Sequence, residues 1–167
     1  QSILGVSEGT PAEECPQGIA IGPIAPYFHR LPEKKGEHIG APAGSLHAIM
    51  GVIFSAEIQQ NSNTTYRVYD WNRVGADGVP RPLHIDKSLD VINFEQVEPQ
   101  LQAPVLISEE DGIRRERLCA NEYFVTERVT MERGAVFSGM CDGRSLEIWG
   151  VLEGEATIND VPLEAIQ

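Results

Sequence analysis

Four residues in the middle of the chain carry side chains that could do polar chemistry: His47, Glu57, Arg67 and Lys87. An imidazole can bind a metal ion, a carboxylate can act as a base, and arginine and lysine can hold an anion. His47 follows the turn Pro42-Ala43-Gly44, in which proline fixes φ and glycine accepts a positive φ. A carboxylate and an amide, Glu57 and Gln59, lie on one face of the segment that follows this histidine-bearing turn, and they indicate a polar pocket rather than a dry core.

Two alternating segments are expected to position these side chains. Residues 52–59 place an apolar set on one face and Glu57 with Gln59 on the other. Residues 65–70 alternate in the same way, with Arg67 on the side opposite Val68. The pattern therefore predicts two strands that bring a carboxylate and a guanidinium to one pocket.

Each candidate also has a structural explanation that needs no ligand. A histidine after a turn is often exposed or structural, and Lys87, near a helix start, could be an ordinary surface lysine. Glu57 could form a salt bridge with Arg67 across neighbouring strands. Arg67 alone would be explained as a strand arginine with a solvated head. The three remaining histidines are expected to be surface or hydrogen-bonded residues: His29, His38 and His84.

Short strands separated by Gly and Pro turns predict an all-β sandwich or barrel. A short helix is expected to start at Thr10-Pro11, and a second one to cover 87–93 with Asp86 as its N-cap. The polar, proline-containing residues 95–104 are predicted to connect two domains. Further strands are predicted at 27–31, 117–120, 123–130, 146–153 and 155–158.

Composition excludes several classes of protein. The 13 basic and 25 acidic residues give a net charge of −12, which argues against a nucleic-acid surface. The longest apolar run, around residues 49–56, is far shorter than the roughly 18 residues of a membrane span. No signal peptide is recognisable at the start, and three cysteines without C-x-x-C spacing favour a reducing cytoplasm.

Two motifs carry a resemblance to a known family. The spacing Gly36-x5-Pro42-x-Gly44-x2-His47 resembles the second motif of the cupins, although Gly51 stands where that motif has asparagine. The stretches EIQQNSNTTYRVYDW, at 57–71, and LHIDKSLDVI, at 83–92, resemble type I mannose-6-phosphate isomerase of the bacterial, short-chain kind. The similarity covers about residues 28–94, and LEIWGVLEG, at 146–154, resembles the second, non-catalytic cupin of that family.

The resemblance implies a fold and its division. The expected fold is a cupin-type double-stranded β-helix, or jelly-roll barrel, in two cupin-like units that both look incomplete. Residues 1–94 would be the C-terminal part of the catalytic cupin. Residues 95–167 would be the connector and part of the second cupin.

The resemblance also implies an activity and its residues. The family interconverts mannose 6-phosphate and fructose 6-phosphate by metal-assisted proton transfer between C1 and C2. His47 matches a ligand of the family's Zn²⁺, and Arg67 matches its catalytic arginine. Lys87 matches a lysine associated with the substrate phosphate, and Glu57 occupies the place of a carboxylate near the substrate.

The sequence departs from the family upstream of His47. The other three zinc ligands of the family come from a Gln-x-His pair and a Lys-Pro-Glu segment, and neither pattern occurs in residues 1–30. The chain is therefore expected to carry one side of a site, whose other side could come from the rest of a parent chain. The expected activity is that of an aldose–ketose isomerase, which this chain alone would lack if the three missing metal ligands are not supplied. The alternative is a non-catalytic cupin that binds a sugar phosphate or a protein partner.

Overall fold

Short strands make up most of the regular structure in this computed structural model, which describes residues 1–10, 25–139 and 141–165. Among those residues there are one α-helix, α1 (Ile85–Val91), and one 3₁₀ turn, Ala25–Tyr27. The strands of the described residues are β1 (Ser2–Val6), β2 (Phe28–Leu31), β3 (His47–Ile49), β4 (Val105–Glu110), β5 (Ile113–Ala120), β6 (Val125–Met131), β7 (Glu155–Ile158) and β8 (Val161–Glu164). The prediction of a mostly β chain is confirmed.

Strand β1 is the centre of the first sheet, whose order is β2-β1-β3. Both pairings are antiparallel, and all five residues of β1 are buried. Ile3 forms a buried cluster with Phe28 of β2 and Val68, and residues of α1 pack against that cluster. The sheet and the helix therefore share one apolar core, which the hydrophobic effect stabilises.

The connector after α1 is tied to the end of β1. The Val6 N–H donates to the Gln96 carbonyl at 3.1 Å, and the Glu98 N–H donates to the Val6 carbonyl at 2.9 Å. Gly5 makes this close approach possible, because its φ is +71° and a Cβ there would lie 2.4 Å from the Gln96 carbonyl oxygen. The connector thus packs as a further strand-like neighbour of β1.

The second sheet, in the order β4-β5-β6, is joined by charged side chains. Glu116 of β5 is buried and accepts hydrogen bonds from Arg128 at 2.8 and 3.0 Å and from Arg114 at 3.1 Å. These hydrogen bonds, chiefly those from Arg128, hold the pKa of Glu116 below its ordinary value. Arg128 also donates to the Gly36 carbonyl, so it joins this sheet to the turn before the Pro42–Gly44 segment.

Several sequence predictions are confirmed with shifted boundaries. The helix predicted at 87–93 lies two residues earlier, and the strand predicted at 155–158 has the predicted bounds. The strands predicted at 27–31, 117–120 and 123–130 correspond to β2, β5 and β6. The helix predicted from Thr10 falls mostly on residues 11–24, outside the described residues.

Three predicted strands were wrong in this structure. Residues 52–59, 65–70 and 146–153 have no strand assignment. Alternation alone does not make a strand, because the backbone groups also need a hydrogen-bonded neighbour. Conversely, the sequence analysis missed β1, whose residues do not alternate because the whole strand is buried.

The expected barrel and its division into two units are not decided by these sheets. Among the described residues the strands form three separate sheets, the third being the hairpin β7-β8. The boundary at residues 95–104 stays a prediction. Within the described part of the chain, no helix has the length and apolar character needed to cross a membrane.

Gly5→Ala is expected to destabilise the protein more than Gly9→Ala. Both glycines have φ near +70°, so either alanine costs roughly 1–2 kcal/mol of backbone strain. Only Gly5 faces other atoms, and the overlap with the connector adds about 1–3 kcal/mol. Urea unfolding of the two variants measures the difference, and equal losses would contradict the close packing of β1 against the connector.

Glu116→Gln is expected to lower the melting temperature by a few degrees at neutral pH, because two arginines lose their carboxylate. A carboxylate with a lowered folded-state pKa stabilises the protein above its ordinary value of 4.5. That stability is lost as the pH falls through the lowered pKa. The difference in melting temperature between wild type and variant should therefore disappear in that pH range. Glu109→Gln, in an exposed pair with Arg114, is the control and should change little.

Candidate functional site

Arg67 is held at its backbone by His84, just before α1. The Arg67 N–H donates to His84 Nδ1 at 3.2 Å, and the His84 N–H donates to the Arg67 carbonyl at 2.8 Å. Since Nδ1 accepts this bond, the ring proton of neutral His84 is on Nε2. The next residue, Val68, is buried in the core cluster, so Arg67 is anchored on both sides.

The side chain of Arg67 is half-buried and remains cationic without a carboxylate partner among the described residues. Its Nη1 donates to the Pro82 carbonyl oxygen at 3.2 Å. The cross-strand salt bridge considered for Glu57 and Arg67 was wrong, because residues 52–59 do not pair with 65–70 and no such ion pair forms in the described structure. A guanidinium fixed by one neutral carbonyl keeps other donors for an anion.

Next to Arg67 lies an ion pair that the sequence analysis did not identify. Asp70 is buried, and Arg81 donates to both of its carboxylate oxygens. These hydrogen bonds hold the pKa of Asp70 below its ordinary range, and the charges of Arg81, Arg67 and Arg73 act in the same direction. The available sequence signal was the spacing of two between Val68 and Asp70, which in an extended segment puts the carboxylate on the apolar face, where it would need a partner.

His47 begins β3 opposite Leu4, directly after the predicted turn. The turn needs glycine at position 44, where φ is +85° and a Cβ would lie 2.7 Å from the Val91 carbonyl oxygen. His47 is exposed, and its Nδ1 lies 3.0 Å from the Ser45 carbonyl oxygen. Because a carbonyl only accepts, Nδ1 carries the proton and Nε2 keeps its lone pair, as in histidines that bind metals.

Glu57 and Lys87 lie on open surface. Glu57 belongs to the run 51–60, in which every residue is exposed. Lys87 is exposed in the first turn of α1, and His84 rather than the predicted Asp86 is the N-cap residue of that helix. The structure thus joins Arg67 to Pro82 and His84. In its described part, no hydrogen bond or ion pair links Arg67 to His47, Glu57 or Lys87.

A zinc ion does not fit the described residues as a complete site. No group of three or more His, Cys, Asp or Glu side chains in the described ranges could hold a metal ion. Zinc sites in proteins need three or four protein ligands, and His47 supplies one. His47 by itself therefore does not make a zinc site in the described part of the chain.

No family model matches the chain, but individual proteins do. It is 41% identical over 96 residues to a probable mannose-6-phosphate isomerase, GmuF, of Bacillus subtilis, a match that covers 58% of this chain and 30% of the relative. A mannose-6-phosphate isomerase of Streptococcus mutans is 40% identical over 92 residues, covering 55% of this chain and 29% of the relative. The chain is a homologue of the bacterial mannose-6-phosphate isomerases.

The homology covers only part of those isomerases. A longer match, to the putative mannose-6-phosphate isomerase YvyI of Bacillus subtilis, is 30% identical over 131 residues, 78% of this chain and 40% of the relative. The chain thus aligns with about 30% to 40% of the length of these relatives.

The fold is similar to a solved mannose 6-phosphate isomerase from Bacillus subtilis. The TM-score is 0.71 at 23% identity, and the match covers 98% of this chain and 52% of that structure. The likeness in structure supports the expected fold class. The sequence matches confirm the resemblance to the bacterial isomerases over part of their length.

Proposed function

We propose that this chain supplies one wall of a mannose-6-phosphate isomerase site and binds a sugar phosphate there. The observation that carries the proposal is Arg67, a half-buried guanidinium whose described side-chain partner is a neutral carbonyl, in a chain homologous to these isomerases. A fixed cation without a carboxylate partner is suited to an anionic substrate.

The reaction would interconvert mannose 6-phosphate and fructose 6-phosphate. A proton moves between C2 and C1, and negative charge develops on the oxygen of an enediol-type intermediate. Arg67 would stabilise that charge or the phosphate, and preorganised charge of this kind is a large part of enzymatic catalysis. Glu57 would carry the proton, and Lys87 would contact the phosphate.

His47 is proposed as one zinc ligand of a larger set, on the basis of its free Nε2 lone pair. The remaining ligands would have to come from outside the described residues, either from the rest of a parent chain or from another partner. Bound zinc would supply an electrophile for the oxygen at the reacting carbon. A cytoplasmic location is part of the same proposal, as expected for an enzyme acting on a metabolite phosphate.

The second candidate is a module that binds a sugar phosphate without catalysis. The observation that favours it is that no group of three or more His, Cys, Asp or Glu side chains among the described residues could hold a metal ion. In this case Arg67 and Lys87 would still bind the phosphate. Turnover, not binding, separates the two candidates.

Arg67→Ala is expected to weaken binding of mannose 6-phosphate by about ten- to a hundredfold, because a charge-assisted hydrogen bond is worth roughly 1.5–3 kcal/mol. Isothermal titration calorimetry measures the affinity. Arg117→Ala removes the same charge from an exposed position on β5 and should leave affinity unchanged. Equal losses in the two variants would contradict a role for Arg67.

A coupled assay for fructose 6-phosphate, with Zn²⁺ added, decides between the two candidates. Turnover that Arg67→Ala and Glu57→Gln both reduce would support the isomerase. Binding of the sugar phosphate without turnover would support the non-catalytic module. Absence of both would overturn the proposal for this chain.

A further inference from the structure

We propose that Arg81 is a positioning residue: by occupying the buried carboxylate of Asp70, it keeps the guanidinium of Arg67 available for an anion. The inference rests on the proposed function, in which Arg67 contacts the sugar phosphate. This role of Arg81 would explain why three arginines act on one aspartate in a chain whose net charge is −12.

The first observation is the completeness of the ion pair. Asp70 is only 7% exposed, and Arg81 uses two separate nitrogens on it, with Nε donating to Oδ2 at 2.7 Å and Nη2 to Oδ1. A buried charge requires a partner, and the planar fork of arginine matches both carboxylate oxygens. Arg81 therefore satisfies Asp70 from a side chain that is itself about half exposed.

The second observation is that two other arginines act on the Asp70 carboxylate through their charge, while their guanidinium groups contact other residues. Arg67 and Arg73 both act electrostatically on Asp70. Arg67 directs Nη1 to the Pro82 carbonyl, and Arg73 lies over the ring of Trp71, 5.6 Å from its centroid. Among the described residues, only Arg81 donates a side-chain hydrogen bond to Asp70.

The third observation is that the intervening loop makes these contacts together. Residues 71–80 fold back as a hairpin, with a bridge between Val74 and Pro80 and a hydrogen bond from the Gly75 N–H to the Val79 carbonyl at 2.9 Å. This reversal returns Arg81 to Asp70. Pro82, the next residue, then accepts a hydrogen bond from the Arg67 side chain, so the Asp70–Arg81 pair both occupies the nearby carboxylate and places the carbonyl that supports Arg67.

Loss of Arg81 should change the partner of Arg67. Without the two hydrogen bonds from Arg81, the buried carboxylate of Asp70 would attract the nearest remaining guanidinium. The loop formed by residues 71–80 would also no longer hold the Pro82 carbonyl in place. Arg67 would then be neutralised by Asp70 rather than by an incoming phosphate. Removing Arg73 takes the same charge from the same loop but leaves the pair intact.

The test compares Arg81→Gln with Arg73→Gln in the full 167-residue chain. The first readout needs no ligand: NMR of the Arg67 guanidinium reports its chemical shift and the rate of rotation about its Nε–Cζ bond. We expect slower rotation and a shifted signal in Arg81→Gln, because a carboxylate holds the group, and no change in Arg73→Gln. An unchanged Arg67 signal in Arg81→Gln overturns the proposal.

The second readout is the affinity for inorganic phosphate, measured by titration of the same signal. Arg81→Gln should weaken binding by about tenfold, as expected for one lost charge-assisted contact, and Arg73→Gln by no more than about twofold. The double variant Asp70→Asn/Arg81→Gln, which no longer has the carboxylate, should return to within about threefold of wild type. The affinity of Arg81→Lys for phosphate should lie between that of wild type and that of Arg81→Gln. A double variant as weak as Arg81→Gln overturns the proposal.

The two readouts separate this inference from the isomerase proposal. If Arg67 changes as expected while mannose 6-phosphate neither binds nor reacts, the positioning role stands and the proposed function fails. If the sugar phosphate binds through Arg67 but its signal is indifferent to Arg81, the proposed function stands and the positioning role fails.

Discussion

Burial of β1 is the constraint on which the first part of this structure depends. Both faces of β1 are buried away from water. Its backbone groups therefore need hydrogen-bond partners on both edges of the strand. Strands β2 and β3 supply most of them, and the connector supplies those at Val6. Segments that are 22 to 92 residues away in the sequence are thereby fixed around the five residues of β1.

The same core positions the candidate site. His47 pairs with Leu4 of β1, so the turn before it is placed by the sheet. Val68 belongs to the buried cluster with Ile3, and it fixes the backbone of Arg67 from the other side. The turn at Gly44 meets the end of α1, where the Asn93 N–H donates to the Gly44 carbonyl at 2.9 Å. The two parts of the proposed site are thus attached to one apolar centre, although no hydrogen bond or ion pair joins His47 to Arg67 in the described structure.

Charge is distributed so that the buried carboxylates are paired, whereas the half-buried guanidinium of Arg67 has no carboxylate partner among the described residues. Glu116 and Asp70 each accept a fork from an arginine, and both have lowered pKa values as a result. Arg128 also donates a hydrogen bond to the Gly36 carbonyl and so links the second sheet to the first part of the chain. Arg67 has only a backbone carbonyl as its described side-chain partner, which is the feature that a phosphate ligand would use.

Local chemistry in the sequence determined the elements whose signals lie within a few residues. The helix near residues 85–91 and the Pro-Gly turn before His47 follow from apolar spacing, turn residues and φ requirements. The stretch around Arg67 also sufficed to place the chain among the isomerase homologues. Only the tertiary structure decided which segments find partners. In the tertiary structure β1 pairs with three distant segments, residues 51–60 are exposed, and Asp70 is bound by Arg81. Strand pairing and burial depend on contacts between residues that are far apart in the sequence, and no local pattern connects those residues.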